Sequence, residues 1–126
     1  MRIDSLHHAQ IPYPRGAEAE ARRFYGEGLG LAEMPRPREL DDRPGMWFDL
    51  GHGQQLHLLA LDEDVGSPSY HFALRVPDLA GTRAELRARG VASEDRERFA
   101  ELGYDRCFVR DPFGNTIELL QVSSGT

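Results

Sequence analysis

The sequence predicts an α+β fold built from two tandem copies of one βαβββ module. Three observations predict it. Both halves run through the same order of strand-like and helix-like segments, landmark residues recur at a near-constant offset, and the stretch between the halves reads as a linker. His8-x-x-Ile11 matches His71-x-x-Leu74 at an offset of 63, and Phe48, Gly51 and Leu56-His57-Leu58 match Phe108, Gly114 and Ile117-Glu118-Leu119 at an offset near 61. The acidic run Asp62-Glu63-Asp64, followed by Gly66 and Pro68, marks Leu61–Ser69 as the link. Residues 1–61 are therefore read as a first module and 70–126 as a second, within a single domain of 126 residues.

In the first half, Leu6–Pro12 reads as a strand, and Ala17 to about Glu27 as a helix. The helix has Ala17, Ala21, Phe24 and Tyr25 on one stripe and Gly28 or Gly30 as its stop. Extended segments follow over Ala32–Pro37, Met46–Leu50 and Gln54–Leu61, with a Gly51-His52-Gly53 turn before the last. In the second half, Tyr70–Val76 is the strand, and Asp78 caps a helix over Leu79–Arg89 that Gly90 ends. Ala92–Arg96, Tyr104–Arg110 and Thr116–Val122 complete the set, and Asp111-Pro112-Phe113-Gly114-Asn115 turns the chain between the last two.

Side chains alternate faces along a strand, so the apolar residues pick out the face that meets the helix. Ala9 and Ile11, Leu56 and Leu58, Phe72 and Leu74, and Ile117 and Leu119 take that face. His8, His57, His71 and Glu118 then fall on the other, at two pairs of repeat-equivalent positions. Three imidazoles and a carboxylate suit one divalent ion of Fe, Ni, Co, Mn or Zn, with coordination positions left for water or substrate. A purely structural cluster of this kind would desolvate several ionisable groups without compensation. His7, at the start of its strand, and His52, in a hairpin turn, read as ordinary surface residues.

Composition narrows the function classes. A net charge of −6 disfavours nucleic acid, which requires a basic face. No run reaches the ~20 apolar residues of a membrane span. The single cysteine, Cys107, forms no internal disulfide and fits a reducing, cytoplasmic setting.

The ordered motifs Leu6-His7-His8-Ala9-Gln10-Ile11, Arg23-Phe24-Tyr25 with Gly28-Leu29-Gly30, Leu56-His57-Leu58, His71 to Asp78 and Asp111-Pro112-Phe113-Gly114-Asn115-Thr116-Ile117-Glu118-Leu119 resemble the vicinal oxygen chelate superfamily. That superfamily comprises glyoxalase I, bleomycin resistance proteins and extradiol dioxygenases. The resemblance implies a U-shaped, cup-like mixed sheet with helices outside, a metal held by His8, His71 and Glu118, and a branch-dependent fourth position at His57. There the glyoxalase and epimerase branches usually carry Glu or Gln, and the fosfomycin-modifying branch an aromatic residue. Gln10 replaces the small hydroxyl residue of the fosfomycin branch.

The implied activity is a metal-dependent lyase or isomerase of glyoxalase type. It would act on a small substrate with vicinal oxygens, through a metal-stabilised enolate-like intermediate, with Glu118 a catalytic proton carrier. Gln10, Gln55, Arg75, Tyr104 and Arg106 are candidate substrate contacts. The alternatives are an Fe(II) ring-cleaving dioxygenase and a non-catalytic antibiotic-binding module. A homodimer with sites shared between subunits is the implied assembly.

Overall fold

A computed structural model describes residues 1–98 and 101–122. The last four residues of the expected second module lie outside the described residues. The chain divides into two compact units, Met1–Val65 and Gly66–Thr126.

In unit one, strands β1 (His8–Pro14), β2 (Ala32–Met34), β3 (Gly45–Gly51) and β4 (Gln54–Leu61) form a four-stranded sheet of order β1-β4-β3-β2. β1 runs parallel to β4, and the other neighbours are antiparallel. The hairpin between β3 and β4 turns on His52, whose φ of 54° lies in the left-handed region, between two glycines that also have positive φ. The expected single helix is instead two pieces. Helix α1 (Glu18–Arg22) gives way to a π-helical segment over Arg23–Gly28. There the Leu29 N–H reaches back five residues to the Phe24 carbonyl at 2.8 Å. The wider turn carries Tyr25 into the core, where its ring lies 6.0 Å from that of Phe48. Tyr13, Ala21, Met46, Leu56, Leu58 and Ala60 complete that apolar layer. Burying each large aliphatic side chain in such a layer contributes roughly 1.5–3 kcal/mol.

Unit two repeats the plan. Strands β5 (Ser67–Arg75), β6 (Glu94–Asp95), β7 (Tyr104–Arg110) and β8 (Asn115–Val122) form a sheet of order β5-β8-β7-β6, with β5 parallel to β8. Helix α2 (Leu79–Ala88) starts as the sequence predicts, the Asp78 carboxylate accepting from the Gly81 N–H at 3.1 Å. Leu79, Leu86, Val91, Cys107, Val109, Ile117 and Leu119 form its core.

Strand ends moved where neighbours decide them. β1 begins at His8 rather than Leu6 because its pairing with β4 starts at His8 and Gln55. β5 reaches back to Ser67, inside the expected linker, where the Thr116 hydroxyl donates to the Ser67 carbonyl at 3.1 Å. Gly66 just before it lies against the Phe113–Gly114 backbone, where no Cβ would fit. The third and fourth strands of each unit, and the turns between them, lie where the sequence predicts to within one residue.

Candidate functional site

Register places the candidate residues. Across β1, β4 and β3 the face opposite the core reads in three rows: His8–Gln55–Asp49, Gln10–His57–Trp47 and Pro12–Leu59–Gly45. Across β5, β8 and β7 the matching rows are His71–Thr116–Arg110, Ala73–Glu118–Phe108 and Arg75–Leu120–Arg106. His8 is thus equivalent to His71 and His57 to Glu118. One equivalence needs correcting: Phe108 answers to Trp47, not Phe48, because both sit beside the central strand's polar residue on this face.

In unit one, His57 is enclosed, with only 5% of its surface exposed. Its ring stacks on that of His8 at 4.0 Å and on the Trp47 indole at 3.9 Å, nearly parallel to both. The Gln55 side-chain oxygen lies 2.8 Å from His57 Nε2. Burial, reinforced by the neighbouring positive charges of His8, His7 and Arg36, pushes the His57 pKa down to about 4. The ring is therefore neutral near pH 7, as a metal-binding imidazole must be. His8 is exposed, and its Nδ1 lies 2.9 Å from Nδ1 of His7. His7 thus has a partner in the pair, although the sequence offered only its adjacency to His8 as a signal. Trp47 was missed entirely, and the alternation of β3, which sets it opposite Met46 and Phe48, is the signal that could have found it.

In unit two, Glu118 is buried to 4% exposure although it points away from the face that Ile117 and Leu119 bury. Its Oε1 lies 3.3 Å from His71 Nε2 and 3.4 Å from Arg106 Nη1. Good charge-assisted hydrogen bonds run to about 2.7–2.9 Å, so both contacts are loose. A buried carboxylate so loosely held has coordination capacity to spare. The Asp111 turn fixes its register: one carboxylate oxygen accepts from the N–H groups of Phe113 at 2.9 Å and Asn115 at 2.8 Å, and the other from the Asn115 side chain at 2.8 Å. The Asp-Pro-Phe-Gly-Asn element is thus a structural clamp on the strand that carries Glu118.

The remaining candidates also fall on this face. Gln10 is exposed beside His57, Arg75 is exposed, and Tyr104 and Arg106 are half-buried on β7. Donors come in pairs, one pair per unit; among the described residues no group of three or more His, Cys, Asp or Glu is gathered as a metal cluster. By their chemistry the residues of each pair suit a divalent ion: a neutral imidazole at His57 beside that of His8 in unit one, and the His71 imidazole beside the buried Glu118 carboxylate in unit two.

The model of the Glyoxalase/Bleomycin resistance protein/Dioxygenase superfamily matches residues 5–119. The chain belongs to this superfamily. Among solved structures, a protein described as glyoxalase family from Bacillus anthracis is 35% identical, with a TM-score of 0.89 over 98% of this chain and 100% of that one. A glyoxalase family protein from Enterococcus faecalis is 25% identical, with a TM-score of 0.76 over 95% and 99% of the two chains. TnmS3, an antibiotic binding protein from Streptomyces sp. CB03234, is 25% identical, with a TM-score of 0.73 over 98% and 99%. No curated protein sequence matches the chain. Superfamily membership accounts for the duplicated βαβββ plan, but the scaffold hosts several chemistries and fixes none of them. No helix among the described residues is long and apolar enough to cross a membrane.

Proposed function

We propose that this superfamily member is a divalent-metal-dependent lyase or isomerase of glyoxalase type, acting on a small substrate with two neighbouring oxygens. One observation carries the reading: repeat-equivalent positions on the face opposite the core hold a His–His pair in unit one and a His–Glu pair in unit two. His8, His57, His71 and Glu118 would together hold the ion, within one chain or across a homodimer. When bound, the ion supplies Lewis-acid stabilisation to a substrate oxygen that gains negative charge.

The chain's own residues supply the rest. Glu118 carries a proton at Oε2, the oxygen not engaged by His71 and Arg106. Phe108, in register with Glu118 and 5.2 Å from the His71 ring, shields that carboxylate from water on one side. Gln55 orients His57.

The stack of Trp47, His57 and His8 favours a second reading, a binding module for a flat aromatic ligand, since such rings offer a ready stacking surface. A ring-cleaving dioxygenase would rely on His8, His71 and Glu118 alone. Calorimetric titration of metal-stripped protein with Ni(II) and Fe(II) separates the three. The proposal expects binding that His57→Ala weakens and His71→Ala abolishes. Full affinity in His57→Ala together with oxygen uptake on catechols would favour the dioxygenase. Failure to bind either metal would favour the binding module.

A further inference from the structure

The third row of each sheet differs in a way the duplication does not require. Unit one has Pro12–Leu59–Gly45 there, with no ionisable group. Unit two has Arg75–Leu120–Arg106, two guanidinium groups flanking a leucine on the row next to Glu118. Neighbouring strands lie about 4.8 Å apart, so Arg75 and Arg106 spring from β5 and β7 on either side of Leu120, roughly 10 Å apart.

These arginines sit in a cationic setting on a chain whose net charge is −6. On the same sheet, Arg110 and Arg96 both pair with Glu94, at 3.3 and 3.1 Å, and the Arg96 guanidinium lies 4.5 Å over the Phe108 ring. Glu94 serves Arg96 and Arg110, and Glu118 serves Arg106, so with Arg75 four guanidinium groups of this patch meet two carboxylates. Arg106 is oriented by the Glu97 carbonyl at 3.1 Å and pairs with Glu118 at 3.4 Å. Arg75 is exposed, and its side chain has no hydrogen bond or ion pair among the described residues. Folding does not call for a charge at these positions, since unit one builds the same sheet with proline and glycine.

We infer that Arg75 and Arg106 form an anion grip beside Glu118, and that the natural ligand is a small organic acid carrying a carboxylate or phosphate group. Planar guanidinium forks suit both anions, which offer paired oxygens at matching spacing. The inference rests on the proposed enzymatic reading only for where the reacting oxygens lie; the grip itself belongs to unit two alone. It narrows the substrate from any molecule with vicinal oxygens to one with an acidic group adjoining them.

The test titrates the full chain with inorganic phosphate and, separately, acetate, in chelator to exclude binding through a metal, following the backbone amide signals of Arg75 and Leu120 by NMR. The expected result is saturable binding of at least one anion. Arg75→Gln should weaken it by about tenfold or more, in line with the loss of a charged hydrogen bond. Arg106→Gln should weaken it as well, while Arg23→Gln, an exposed arginine of unit one, should leave it unchanged. Circular dichroism of each variant checks that the fold is retained. Absence of saturable binding, or equal losses in Arg75→Gln and Arg23→Gln, would overturn the grip. Metal titration in the same chelator-free variants is a separate readout, so loss of the grip with metal binding intact leaves the functional proposal standing, and the converse holds too.

Discussion

Units one and two share a strand order, a register and an apolar layer, yet they use the opposite face of the sheet differently. Unit one presents mostly rings and amides, His8, Gln10, Trp47, Gln55 and a buried, neutral His57, with the single carboxylate Asp49 in its first row. Unit two presents charge, Glu118 and the arginines 75, 106 and 110, with the His71 ring beside Glu118. The core-facing positions are conserved in character between the two, with Leu56 answering to Ile117 and Leu58 to Leu119. Duplication therefore preserves the apolar layer, where close packing demands similar volumes, while the residues of the other face have diverged.

The first way to break this comparison is at the shared layer. Leu56 and Ile117 are both fully buried and equivalent, so Leu56→Ala and Ile117→Ala should cost similar amounts, each about 2–5 kcal/mol, by urea denaturation. A large cost in one unit and almost none in the other would show that the two layers are not alike.

The second concerns the face where they differ. Burial first, then the nearby positive charges, holds the His57 pKa near 4, below the 6.5 of an unfolded histidine. Between those values the unfolded chain binds the proton more readily than the folded one. Stability is therefore full above pH 6.5, falls as pH drops through 4, and levels off below it. In chelator, the loss traceable to His57 should be about 1–3 kcal/mol. His57→Gln should remove that share of the pH dependence. An unchanged pH profile in His57→Gln would contradict the account of the enclosed ring.

The smallest effect lies at the helix starts. α2 is capped by Asp78, whereas α1 starts at Ala17 with no side-chain cap. Asp78→Ala should cost about 1 kcal/mol in thermal or urea unfolding. A negligible cost would mean that α2, like α1, is held by packing alone.

The duplicated fold was legible because strand alternation and offset landmarks are properties of the chain itself. His8, His57, His71 and Glu118 could each be placed on the face of its own sheet opposite the core for the same reason. The π-helical segment was not legible: a stripe of Ala21, Phe24 and Tyr25 suits a regular helix, and the wider turn shows only in the bond from the Leu29 N–H to the Phe24 carbonyl. The role of Trp47 was hidden because a large apolar residue in a strand reads as core, whereas its indole stacks on His57 on the opposite face. The extra length of β5 was equally hidden, since it depends on the Thr116 hydroxyl reaching the Ser67 carbonyl 49 residues away. Pairings across the chain decide what local pattern leaves open.

The central claim is that the two unlike pairs, His8 with His57 and His71 with Glu118, serve one ion. Elemental analysis of protein purified without an affinity tag tests it most directly, on untreated and metal-reconstituted samples of the wild type and of His8→Ala and His71→Ala. The account predicts about one divalent ion per chain in the wild type, lost in both variants, although each removes a donor from a different unit. Metal absent from both wild-type samples would contradict it, as would metal retained in full by either variant.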